Sequence, residues 1–80
     1  MLARSRYEVM VRRTGRSPSF LSAPDRVDHV EIVSLDDGEV VLFWDTRPAQ
    51  TRRLARGLRT DLAQLEADTF IAKWSRWQAA

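Results

Sequence analysis

Eighty residues, 44% of them apolar, make one small domain near the size at which a single core is only just sufficient, and argue against wholesale disorder. With no cysteine, the chain has neither a disulfide staple nor a thiolate metal site to supplement that core. The net charge of +2 conceals a segregation: residues 1–26 hold six arginines against two acids, residues 27–45 six acids and no lysine or arginine, and residues 46–80 seven bases against three acids.

The basic flanks and acidic centre can attract each other, or the same segments of a second copy, by screened surface pairing. Met1–Arg6 lead into no apolar stretch of the signal-peptide kind. The longest apolar run, Val40–Trp44, is far shorter than a membrane span. The expectation is a cytoplasmic domain with no membrane association and no cofactor.

In chain order, Tyr7, Val9 and Val11 alternate with Glu8, Met10 and Arg12, the pattern of a half-buried strand. Residues 13–26 follow as a flexible loop on their Gly, Ser and Pro content, with Phe20 and Leu21 available to pin it to the core. Val27–Leu35 and Glu39–Trp44 read as the arms of a hairpin, because Asp37-Gly38 tolerates the positive φ of a tight turn. With those two residues central, Leu35 faces Val40, Val33 faces Leu42 and Glu31 faces Trp44. One side then shows Val30, Ile32, Val41 and Phe43, and the other Val33, Leu35, Val40, Leu42 and Trp44. Both sides are apolar, so a helix on one side leaves the other uncovered.

Pro48 marks a helix start, with Asp45 or Thr46 as its cap. Leu54, Leu58, Leu62 and Leu65 form one apolar stripe. Phe70, Trp74 and Trp77 form a second, more than about 90° around the same helix at 100° per residue. Either one long helix carries two faces, or the chain bends near Asp68. No breaker residue lies there, which favours the long helix. The expected fold class is α+β: a three-stranded antiparallel sheet (βββα) with one long C-terminal helix packed on one face.

For chemistry the sequence is sparse. One histidine and no cysteine leave no material for a triad. His29, two residues before Glu31 on the same side of a strand, reads as a surface histidine paired with a carboxylate. Asp36, Asp37 and Glu39 lack the ligand series of a calcium loop and fit turn chemistry. No GxxxxGK[ST], GxGxxG or HExxH motif is present. A non-enzymatic role without a metal site is expected.

Two interaction readings remain. Phe70, Trp74, Trp77 and Trp44 are candidate interface residues, since aromatics are enriched at interface cores and an exposed apolar patch is a liability. On this reading the chain is a homodimer, or binds another protein, through its apolar sheet face and its aromatic helix. Alternatively, Arg52, Arg56 and Arg59 share one helix face and can track the phosphates of a nucleic acid, with Trp74 and Trp77 as stacking platforms. The competing intramolecular arrangement folds the aromatic stripe onto the chain's own sheet.

Overall fold

The computed structural model describes residues 1–13 and 27–77. Strand β1 (Tyr7–Arg13), β2 (Asp28–Ser34) and β3 (Val40–Thr46) form one antiparallel sheet in the order β1-β2-β3. Helices α1 (Pro48–Gln64) and α2 (Ala67–Trp74) follow. The α+β class with a three-stranded antiparallel sheet and a long helix after it is as the sequence indicates. Of the expected loop 13–26, Arg13 closes β1 and the remainder, including Phe20 and Leu21, lies outside the described residues.

The hairpin between β2 and β3 is longer than a two-residue turn. Ser34 N–H donates to Glu39 O at 2.8 Å and Gly38 N–H to Ser34 O at 2.9 Å, so Leu35–Gly38 form the connection. Gly38 takes φ of 74°, a value that side chains resist. Asp37 Oδ1 accepts from Glu39 N–H at 3.0 Å and braces the turn. The register shifts again between Ile32 and Val33, where Val40 and Val41 together oppose Val33.

The expected pairings of Leu35 with Val40, Val33 with Leu42 and Glu31 with Trp44 are therefore not formed. Val30 pairs with Trp44, Glu31 with Phe43 and Ile32 with Leu42. A one-residue slip turns a strand over. It places Leu42 and Trp44 beside Val30 and Ile32, and leaves Val41 and Phe43 on the opposite side with Glu31 and Val33.

Helix α1 starts at Pro48 with Arg47, not Asp45 or Thr46, in the N-cap position. Thr46 is still the last residue of β3, and its hydroxyl lies 2.7 Å from that of Thr51. The helical half also divides where one long helix was expected. Leu65 (ψ 151°) and Glu66 (ψ 154°) are extended. The cause is tertiary: Ala3 N–H donates to Leu65 O at 2.8 Å and Ala67 N–H to Met1 O at 3.1 Å, so the N-terminal segment pairs with the junction.

The break resets the helical phase. Leu54, Leu58 and Leu62 of α1 and Phe70 and Trp74 of α2 enter one core with Ala3, Val30, Ile32 and Trp44. Tyr7, Val9, Val11 and Leu42 pack at its margin. Burying each leucine contributes roughly 1.5–3 kcal/mol, so both helices are fastened to the same side of the sheet, called the inner face below.

Candidate interaction surfaces

The aromatics singled out in the sequence do meet, but on the inner face. Phe70 has no exposed surface, Trp74 is 7% and Trp44 8% exposed, and Trp77 is half-buried against them. Trp44 meets Trp74 edge-on at 6.2 Å between centroids and Trp77 at 5.9 Å. Tyr7 stacks on Phe70 at 6.3 Å. Each buried indole N–H finds an acceptor: Trp44 Nε1 donates to Trp77 O at 3.2 Å, and Trp74 Nε1 to Asp61 Oδ2 at 3.0 Å. Lys73 Nζ reaches the same Asp61 oxygen at 2.6 Å. Gly57, which costs α1 about 1 kcal/mol in propensity, makes room for this cluster: a Cβ there would stand 3.3 Å from Trp74 Cη2. The aromatic stripe thus closes the chain's own core.

A polar network pins the start of α1 to the sheet. Thr51 Oγ1 donates to Asp28 Oδ2 at 2.8 Å and lies 2.7 Å from Thr46 Oγ1, all three residues being almost wholly buried. Its role is to satisfy polar groups where β2, β3 and α1 converge.

No helix among the described residues lies on the outer face of the sheet. Its residues stand in rows set by the register: Arg12, His29 and Asp45; then Met10, Glu31 and Phe43; then Glu8, Val33 and the Val40/Val41 pair. Phe43 is 50% exposed, and Met10, Leu35, Val40 and Val41 are exposed with it. Four polar members of these rows pair among themselves. His29 Nδ1 lies 2.6 Å from Asp45 Oδ1 with its ring stacked on Phe43 at 5.5 Å, and Arg12 Nε lies 3.2 Å from Glu31. His29 thus has a carboxylate partner, across the sheet at Asp45 instead of on its own strand. The sequence marks both sides of the hairpin as apolar; only the register decides that Val41 and Phe43 are the ones left outside.

Arg52, Arg56 and Arg59 are exposed on α1 together with Arg53, and no acid among the described residues pairs with any of the four. No group of three or more His, Asp or Glu side chains among the described residues is placed to hold a metal ion. No helix among them is long and apolar enough to cross a membrane.

Comparison of the chain with protein-family models, curated proteins and solved structures finds no match.

Proposed function

We propose that this chain is a non-enzymatic protein–protein interaction module, cytoplasmic, that associates with a second copy of itself through the outer face of its sheet. The observation that carries this reading is the exposure of Met10, Leu35, Val40, Val41 and Phe43 on the one side of the sheet that no helix among the described residues covers. A solvated sheet face is normally polar, and apolar surface gathered in one patch marks an interaction site. The C-terminal aromatics leave the interface, because they are already used in the core.

Charge supports a second copy as the occupant. A two-fold axis parallel to the strands lays β1 of one copy over β3 of the other. Each row then meets itself reversed: Arg12 opposes Asp45, and Met10 opposes Phe43. Glu31, in the central strand, lies on the axis opposite its own counterpart; it is only 8% exposed, and each copy is paired with Arg12 of its own chain.

Size sets the strength. Three strands about 4.8 Å apart and seven residues long at about 3.3 Å per residue span roughly 330 Å². A standard interface takes about 800 Å² from each partner. The expected dimer is therefore weak and concentration-dependent. The test is a dilution series followed by amide chemical shifts: the reading requires the resonances that move to be those of the outer face, Met10, Glu31, Val41 and Phe43.

Nucleic-acid binding is the second reading, favoured by the four arginines of α1 that no acid among the described residues pairs. Its test is salt-dependent binding of an oligonucleotide that is lost when Arg52, Arg56 and Arg59 become glutamine.

A further inference from the structure

A groove of about 480 Å³ runs between α1 and the free edge of the sheet, lined by Val11, Thr51, Arg52, Ala55 and Arg59. Val11 and Ala55 give it an apolar floor, while Arg52 and Arg59 form a cationic rim with no acid to neutralise it among the described residues. We propose that this groove binds an extended acidic peptide, which adds to β1 as a fourth strand and sets its carboxylates against Arg52 and Arg59. The inference extends the protein-binding role proposed above, but it stands whether or not the outer face self-associates.

The backbone supplies the first argument. Strand β1 is an edge, and Leu35 N–H donates to Arg6 O at 2.9 Å. Antiparallel ladders alternate, so Glu8, Met10 and Arg12 also turn their backbone groups toward β2, and Tyr7, Val9 and Val11 turn theirs away. Those outward N–H and C=O groups have no backbone partner among the described residues. An open row of this kind is the template for strand addition.

Charge supplies the second. Arg52 and Arg59 are seven residues apart, about 10.5 Å along the helix axis. Side chains on one face of a strand repeat about every 6.7 Å, so acids at alternate positions come within reach of both flexible guanidinium groups. Arginine pairs bidentately with carboxylate, which rewards this match. A second copy does not fit here: pairing β1 with β1 brings the arginine faces of both α1 helices together. Nor does the chain's own β3 fit, since its inward residues Leu42, Trp44 and Thr46 carry no charge.

The test uses the full chain, a fluorescein-labelled alternating Glu-Val octapeptide, its Lys-Val counterpart and a short oligothymidylate. The expected result is binding of the Glu-Val peptide with slowed exchange of the Val9 and Val11 amides. Reversing the rim with Arg52→Glu and Arg59→Glu should weaken that peptide about tenfold or more and shift preference to the Lys-Val peptide. Both positions are exposed, so the fold survives the change. The proposal is overturned by an absence of peptide binding, by binding that leaves the Val9 and Val11 amides unchanged, or by oligothymidylate binding in its place.

Discussion

Trp44 and Trp74 meet edge-to-face, with ring centroids 6.2 Å apart and planes at 71°, across the seam between the last strand and the last helix. Edge-to-face pairs exceed their area burial by about 0.5–1.5 kcal/mol. This one joins two segments, β3 and α2, that only the break at Leu65–Glu66 brings together. Trp74→Ala is therefore a core truncation. It should cost about 3–5 kcal/mol in equilibrium denaturation and leave the solution mass of the folded fraction unchanged.

Gly57 tests the same seam from the other side. Its absent Cβ would stand 3.3 Å from the Trp74 ring, which Asp61 and Trp44 hold in place. Gly57→Val should lose about 1–3 kcal/mol through overpacking, despite removing a helix-weakening glycine. Thermal unfolding of the variant measures the sign.

Thr51→Val retains shape and removes the hydroxyl shared by Asp28 and Thr46. The cost should be about 1–3 kcal/mol, because polar groups at nearly sealed positions lose a partner. Urea unfolding reads it directly, and Thr51→Ser should recover most of the loss.

Much of this architecture is legible in the sequence, and what is not has a physical cause in each instance. Alternation around Val9 and the periodic leucines of α1 are local signals, so the strands and the long helix can be read. The register is not local in that sense. Asp37-Gly38 announces a turn, but four residues from Leu35 to Gly38 span it, and the extra Val41 shifts the ladder once more. The division at Leu65–Glu66 leaves no trace at all, because backbone groups of Met1 and Ala3 impose it from the other end of the chain. Both effects move the candidate site. The aromatic stripe goes inward with the break, and Phe43 goes outward with the register.

Glu31 gives the self-association reading a distinctive signature. In the two-fold arrangement Glu31, 8% exposed and paired with Arg12 of its own chain, is the acid nearest its own counterpart, and the residual repulsion between the two like charges is unfavourable. Glu31→Gln should therefore tighten the dimer severalfold in sedimentation at low salt, with a smaller gain at high salt as screening grows. A weaker dimer would assign Glu31 an attractive role and rule out this axis.

The most direct measurement is sedimentation equilibrium of the full chain beside its Phe43→Ser variant, from roughly 10 μM to 1 mM, the range suited to a weak interface. Phe43 is half exposed, so the variant should fold with stability within about 1 kcal/mol of the parent. With the outer face as the interface, the parent approaches twice the chain mass at the upper end while the variant stays at the mass of one chain. A parent that remains monomeric throughout, or a variant that dimerises equally well, contradicts it.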